Sequence, residues 1–260
     1  MAEITAPFKE LQPVFINTRN VGRALTMMNA LALMPHTPRL AAVYGRAGVG
    51  KSYWATTWIA RQPEGRDIPY LKCQWVWVKS ELEFLRALCG AFGIKEEARP
   101  RRKVACYQMI LDRMTARPGL PLFVDDFHRM QKEPGHLEIL RDLTELSGAP
   151  VVLIGEEPLE PMLRQHRQVW SRTKQAQEFK PVDVADVVML AQQSAGLNLE
   201  MDAAVHLHDW AGGDFRPLEN ALAGCLQKAQ GKARDKMVVT KEDIKAVLKT
   251  LLAPKAGGRK

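Results

Sequence analysis

The chain has 260 residues and a formal net charge of +8; 46% of its residues are hydrophobic and 25% are charged. This balance is typical of a globular protein with one α/β core and a small second domain. No apolar run approaches the roughly 18 residues of a membrane span, and residues 1–10 lack the apolar core of a secretory signal. The positive charge permits a polyanionic partner, but charge alone is a weak signal because solvated surface lysines are common.

The first half of the chain alternates predicted helices and strands after an irregular lead-in at residues 1–13. These elements are, in order, a helix over 20–34, a buried strand over 40–44, a helix over 52–61, a β-rich strand over 71–78, a helix capped by Ser80 and ended by Gly93, and a helix that runs through Met114. Trp75 and Trp77 share one face of the fourth of these elements. We therefore predict that both belong to the core, with stacking on nucleic-acid bases as the alternative.

The second half of the chain also begins with alternating strands and helices, and it then contains predicted helices only. Its elements are an apolar strand over 120–124, a helix over 138–147, a strand over 150–155, a last strand over 176–179, and then helices only, over 183–195, 202–210, 217–229 and 241–252. This order predicts an α/β fold, a three-layer αβα parallel-sheet domain over 14–180 followed by a small all-helical lid domain over 181–253. The Gly-rich basic tail, 254–260, is predicted to be disordered.

Four widely spaced cysteines lie among apolar neighbours, without a C-x-x-C pair. Buried reduced thiols are the better interpretation, and they indicate a cytosolic compartment.

The strongest motif is a full G-x-x-x-x-G-K-[ST] sequence between the strand over 40–44 and the helix over 52–61. Its residues, the phosphate loop, are Gly45, Arg46, Ala47, Gly48, Val49, Gly50, Lys51 and Ser52. Glycines allow successive backbone N–H groups to turn toward phosphates, and the helix N-terminus adds partial positive charge. Lys51 is predicted to reach the β- and γ-phosphates, and the Ser52 hydroxyl to ligate Mg²⁺.

A second chemical element is the acidic pair Asp125-Asp126 at the end of the apolar strand over 120–124. The carboxyl end of a parallel strand places an acid beside the phosphate loop of the same sheet. Asp125 is predicted to bind Mg²⁺, and Asp126 to orient and deprotonate the attacking water. The alternative is a strand that simply ends in an acidic turn.

Two arginines are candidates for stabilising the charge that develops on the γ-phosphate oxygens. Arg172 lies between the strand over 150–155 and the last strand, and Arg216 precedes Pro217 at the start of a lid helix. Each is open to the alternative of a solvated surface charge.

The order of these pieces resembles that of AAA+ ATPases over about residues 14–252. In this resemblance Gly45–Ser52 matches the Walker A loop and Asp125-Asp126 the Walker B acids. Arg172 matches the arginine finger that acts on the ATP of the neighbouring subunit, and residues 213–216 match sensor 2. The segment 15–20 is similar to the one that packs around adenine, which implies that Phe15 and Asn20 contact the nucleotide.

Within AAA+ proteins, the segments 15–20, 45–51 and 154–156 are most similar to those of the DNA-transposition ATPases of Mu-like phages, a family that binds target DNA and activates a transposase. Two residues depart from the AAA+ pattern. Asp126 stands where Glu is usual, and a misplacement on the order of 1 Å costs about 100-fold in rate, so slow hydrolysis is expected. Glu156 stands at the sensor-1 position, where Asn or Thr is usual.

Basic residues near the second strand and the helices after it are the candidates for DNA contact. They are Lys72, Lys79, Arg99, Arg101, Arg102 and Lys103. Contacts to the phosphate backbone would give salt-sensitive binding without sequence preference. The alternative for residues 99–103 is a solvated loop.

The sequence thus favours an ATP- and Mg²⁺-dependent ATPase that binds double-stranded DNA, self-associates into an oligomer or helical filament, and activates a transposase in the cytoplasm of a bacterial host. DNA would stimulate its hydrolysis. A replication initiator or helicase loader is one alternative, and an adaptor that rarely hydrolyses its ATP is another. No metal site is expected beyond the Mg²⁺ of the nucleotide.

Overall fold

The structure is a computed structural model that describes residues 10–34, 39–229 and 238–251. The chain divides into two compact units. A sheet unit comprises Arg19–Arg46 and Gly50–Phe179, and a helical unit comprises the described residues of 1–18, 47–49 and 180–260. The predicted tail over 254–260 lies outside the described residues.

The sheet unit alternates strands and helices. Its elements are α1 (Arg19–Ala32), β1 (Leu40–Tyr44), α2 (Lys51–Ala60), β2 (Tyr70–Lys72), α3 (Glu81–Ala91), α4 (Lys103–Ala116), β3 (Leu122–Asp125), α5 (Pro134–Ser147), β4 (Val151–Ile154), α6 (Leu159–Gln165), α7 (Arg167–Trp170) and β5 (Thr173–Glu178).

The five strands form one parallel sheet in the order β2-β3-β4-β1-β5. Every residue of β3 and β4 is buried, because helices cover both faces, whereas the edge strand β5 alternates between half-buried and exposed residues. Since all strands run the same way, the phosphate loop after β1 and Asp125 at the end of β3 lie at one edge, the carboxyl edge. The predicted parallel-sheet α/β fold is confirmed.

The opposite, amino edge of the sheet is organised by a buried arginine. Arg39 is 2% exposed, and its guanidinium donates to the carbonyl oxygens of Leu31 at 2.9 Å, Pro118 at 2.8 Å and Gly148 at 3.1 Å. Burial lowers the pKa of Arg39. The charge is tolerated because carbonyl oxygens accept from the guanidinium.

The strand predicted over 71–78 is much shorter in the structure. β2 ends at Lys72, the N–H of Cys73 makes a last bond to the Asp125 carbonyl at 2.8 Å, and the chain then forms a 3₁₀ turn over Trp75–Trp77. The reason is the partner strand: β3 stops at Asp125, so the β-rich residues beyond have nothing to pair with.

Because the strand ends early, the prediction that both tryptophans belong to the core holds for Trp77 and is wrong for Trp75. Trp77 is half-buried against the core, but Trp75 is 69% exposed, with Val76 beside it 74% exposed.

The helical unit contains four helices around its own apolar core. They are α8 (Val184–Leu190), α9 (Met201–Ala211), α10 (Phe215–Ala229) and α11 (Lys241–Leu248). A π-helical turn, Ala191–Ala195, continues α8 to the left-handed Gly196, which accounts for the longer helix predicted there. The expectation of helices only was wrong in one respect, because β6 (Asn198–Leu199) and β7 (Val238–Val239) form a short parallel ladder.

All four cysteines are unpaired thiols and buried, as predicted. Among the described residues, no helix is long and apolar enough to cross a membrane.

Candidate functional site

The phosphate loop has the backbone conformation that its glycines predict. Gly45, Gly48 and Gly50 have φ values of 143°, 78° and 88°, in the region that L side chains rarely adopt. A Cβ at Gly45 would lie 2.2 Å from the carbonyl oxygen of Phe179, so only glycine fits there. Gly50 caps the N-terminus of α2. A loop of this shape ending in a helix N-terminus suits a phosphate group.

Lys51, the first residue of α2, is 8% exposed and lies against its own loop. Its Nζ donates to the carbonyl oxygens of Gly45 at 2.8 Å and Arg46 at 2.7 Å. These bonds hold an ammonium group at the loop.

Asp125 is held on both carboxylate oxygens. Oδ1 accepts from the N–H of Asp126 at 2.8 Å, and Oδ2 accepts from the Tyr70 hydroxyl at 2.5 Å. Burial raises the pKa of Tyr70, the charge of Asp125 and the hydrogen bond to it raise it further, and a hydrogen bond with Ser52 opposes the rise. Tyr70 therefore links the two residues predicted to bind Mg²⁺.

A carboxylate and a hydroxyl are oxygen donors of the kind that Mg²⁺ prefers, so Asp125 and Ser52 fit the predicted ion. Across the described parts of the chain, no group of three or more His, Cys, Asp or Glu side chains could hold a metal ion.

Asp126 has an unusual backbone. Its φ of 55° is the one positive value among the described non-glycine residues, and it turns the chain sharply after β3. Its carboxylate lies 3.1 Å from Nη2 of Arg129 and 3.8 Å from Nζ of Lys72. The predicted acceptor of the water proton therefore lies between two cationic side chains.

Glu156 follows β4 at the same edge of the sheet. Its N–H donates to Nδ1 of His128 at 3.2 Å, which requires this nitrogen to be unprotonated. Burial lowers the pKa of His128, although the charge of Glu156 acts in the opposite direction. His128 thus fixes the backbone that presents the residue predicted for sensor 1.

Arg172 lies at the amino edge, just before β5. Its carbonyl oxygen accepts from the N–H of Leu40 at 3.2 Å, and its guanidinium donates to both oxygens of Glu145 at 2.9 Å each. The five residues of β1 separate this edge from the phosphate loop by roughly 13 Å along the strand. The structure therefore does not bring Arg172 together with Lys51 and Asp125 of the same chain.

Arg216 belongs to the helical unit, in which its side chain is exposed and its N–H donates to Oδ1 of Asp214 at 2.9 Å. In the same unit, the N–H of Phe215 donates to the carbonyl oxygen of Gly48 at 3.1 Å, and Phe15 is half-buried. Asn20, in the sheet unit, is 6% exposed. The nucleotide contacts of these residues stay predictions.

The candidate DNA residues differ in their surroundings. Lys79, Arg101 and Arg102 are exposed. Lys103 pairs with Glu81 at 2.5 Å. Arg99 donates to the carbonyl oxygen of Ile94 at 2.9 Å and also pairs with Glu96, so it braces its own loop.

Comparison with known families provides the deciding observation: residues 34–163, half of the chain, match the family described as AAA domain. The chain belongs to the AAA domain family. Comparison with curated proteins returns no significant match.

Solved structures similar to this AAA domain protein share its fold at low sequence identity. The ORC2 protein of Aeropyrum pernix, solved as ADPNP–ADP complexes, has a TM-score of 0.67 and 15% identity over 95% of this chain and 70% of that one. The Aeropyrum pernix ORC1 protein in complex with DNA has a TM-score of 0.62 and 18% identity over 90% and 66%. Domain III of the Thermotoga maritima replication initiation protein DnaA has a TM-score of 0.56 and 15% identity over 94% and 99%. The chain thus has an AAA+ ATPase fold and spans about two-thirds of the length of the two ORC chains.

Sequence reasoning missed three residues of the AAA domain site: Tyr70, His128 and Arg129. The tyrosine reaches Asp125 because Tyr70 pairs with Phe123 and Lys72 with Asp125, which places all four side chains on one face. That register is not visible in the sequence. The contact between Arg129 and Asp126 could have been predicted, because the two residues are three positions apart, the spacing of one 3₁₀ turn.

Proposed function

We propose that the protein is an ATPase that assembles with ATP on DNA of any sequence and activates a transposase, in the cytoplasm of a bacterial host. The observation that carries the assembly step is the position of Arg172. This residue lies at the amino edge, whereas Lys51 and Asp125 lie at the carboxyl edge. An arginine that cannot reach its own site suits the site of a neighbouring subunit.

In the proposed reaction, the backbone N–H groups of the phosphate loop and the Lys51 ammonium bind the phosphates of ATP. Ser52 and Asp125 would hold Mg²⁺, which would neutralise charge on the phosphate oxygens. Asp126 orients a water and accepts its proton as the water oxygen bonds to the γ-phosphorus and the bond to ADP breaks. Because Asp126 is one methylene shorter than Glu, this step is slow.

DNA contact is assigned to the carboxyl side of β2 and the helices after it. Lys72, Lys79, Arg101 and Arg102 supply positive charge, and the exposed Trp75 adds a ring that can contact DNA. Arg99 and Lys103 contribute less, because each is paired with a glutamate, and the charge of Lys72 is partly offset by Asp126 at 3.8 Å. The sequence resemblance to Mu-like transposition ATPases supports the transposase as partner.

Binding of a fluorescent random-sequence duplex tests this function. Measured by anisotropy, binding should require ATP, weaken steeply between 50 and 200 mM salt by on the order of 10²-fold, and disappear in Lys51→Ala. Equal binding with and without nucleotide would contradict the proposal. Electron micrographs with ATP and duplex should show assemblies that are absent without nucleotide.

A second candidate is a replication initiator or helicase loader, favoured by the fold similarity to ORC1 in complex with DNA and to DnaA. The discriminating measurement is binding of the ATP-bound protein to a purified transposase or to a purified replicative helicase. ATP that stays intact after long incubation with DNA and Mg²⁺ would instead indicate an adaptor.

A further inference from the structure

Tyr70 interacts with both predicted Mg²⁺ ligands. Its hydroxyl donates to Oδ2 of Asp125 at 2.5 Å and also interacts with the Ser52 hydroxyl. Asp125 is 1% exposed, so protein donors, among them the Asp126 N–H and the phenol, provide the solvation that water would otherwise give this carboxylate.

The hydroxyl, rather than the ring, is what this arrangement uses. A phenylalanine would pack in the same place in β2, but it would leave Oδ2 of a buried carboxylate without its short charge-assisted bond. The hydrogen bond from the phenol therefore stabilises the negative charge of Asp125, as a bound cation would do.

We propose that Tyr70 is a positioning residue that competes with Mg²⁺ for Asp125 and Ser52 and thereby sets the Mg²⁺ concentration at which the nucleotide binds tightly. This inference rests on the proposed nucleotide site. The phenol stabilises the Asp125 carboxylate while Mg²⁺ is absent. A higher concentration of free Mg²⁺ is therefore needed before the nucleotide binds tightly.

The test measures the affinity for a fluorescent ADP derivative in EDTA and at increasing free Mg²⁺. In Tyr70→Phe the affinity in EDTA should be unchanged, while the Mg²⁺ concentration at the midpoint of the affinity increase should fall about 10-fold. Tyr107→Phe removes a hydroxyl from a half-buried tyrosine of α4 and should leave the midpoint where it is.

The outcomes are distinct. A midpoint that stays constant in Tyr70→Phe overturns the inference, and so does one that rises, because it would mean that the phenol helps the cation to bind. If the wild-type protein binds no nucleotide at all, the proposed function itself fails.

A measurement on the wild-type sequence covers the case in which Tyr70→Phe does not fold. The chain has four tyrosines, so labelling with 3-fluorotyrosine gives four ¹⁹F signals. Single Phe variants of Tyr44, Tyr53 and Tyr107 identify the Tyr70 signal by elimination. That signal should shift when Mg²⁺ is added to the ADP-bound protein, and a signal that stays in place overturns the inference.

Discussion

The carbonyl oxygen of Arg172 accepts a hydrogen bond from the N–H of Leu40 at 3.2 Å, which fixes this arginine at the amino edge of the sheet. β1 begins at Leu40 and delivers the phosphate loop at its other end. The residue proposed as an arginine finger and the phosphate loop thus lie at opposite ends of one strand. In a row of identical subunits, such an arrangement allows each chain to complete the site of the next one.

Arg172→Ala should lower DNA-stimulated ATP hydrolysis by on the order of 10³-fold while nucleotide affinity stays unchanged, because an arginine finger acts on the transition state. Phosphate release and binding of a fluorescent nucleotide are the two measurements. Arg167→Ala, which changes the first residue of the preceding helix α7, is the control and should keep the wild-type rate of hydrolysis.

Mixing subunits tests whether this arginine acts on a neighbour. Asp126→Ala subunits keep Arg172 and bound ATP, and Arg172→Ala subunits keep an intact nucleotide site, so mixed assemblies should recover part of the activity that neither variant has alone. A mixture as inactive as its components would show that Arg172 does not act between subunits.

Asp126→Ala should keep ATP bound and lower hydrolysis about 100-fold, since it removes the group proposed to accept the water proton. Asp126→Glu should raise the rate about 10-fold, because the added methylene corrects the short reach. Single-turnover hydrolysis measures both. Asp112→Ala, a carboxylate on α4 that binds Gln108, is the control; a slower Asp126→Glu would refute the explanation for slow turnover.

Trp75→Ala should weaken binding to a random-sequence duplex about 10-fold without changing the melting temperature. The side chain is 69% exposed, so its removal costs little packing. Leu33→Ala removes another exposed apolar side chain, 82% exposed on the same unit, and should leave DNA affinity unchanged. Equal affinities of Trp75→Ala and wild type would exclude the ring from the DNA contact.

The half-buried His128 should make the stability of the protein depend on pH. Burial lowers its pKa below the ordinary value of 6.5, so in acid the unfolded chain binds a proton that the folded chain does not. The stability is fully present above pH 6.5 and decreases as the pH falls through the folded-state pKa. Urea unfolding at pH 7.5 and 5.5 should therefore show a smaller loss in His128→Asn than in wild type. His206→Asn, on α9 of the helical unit, should behave like wild type; an unchanged loss in His128→Asn would refute the assignment.

The sequence predicted the strands that depend on local pattern and missed the features that depend on pairing. The apolar runs at Leu40–Tyr44, Leu122–Asp125 and Val151–Ile154 are buried on both faces, so their hydrophobicity identifies them. The end of β2 depends instead on where β3 stops, and the bond between Tyr70 and Asp125 depends on the register between those strands. Neither is encoded within a short window of residues.

Arg39 has a mechanical consequence for the sheet unit. The three carbonyl oxygens that it binds come from the last turn of α1, the segment after α4 and the residue after α5, so one guanidinium ties together three helix C-termini with their partial negative charge. The hydrogen bonds of Arg39 thereby hold three segments together at the amino edge, whereas loops occupy the carboxyl edge. Amide hydrogens next to Arg39 should therefore be among the last in the protein to exchange.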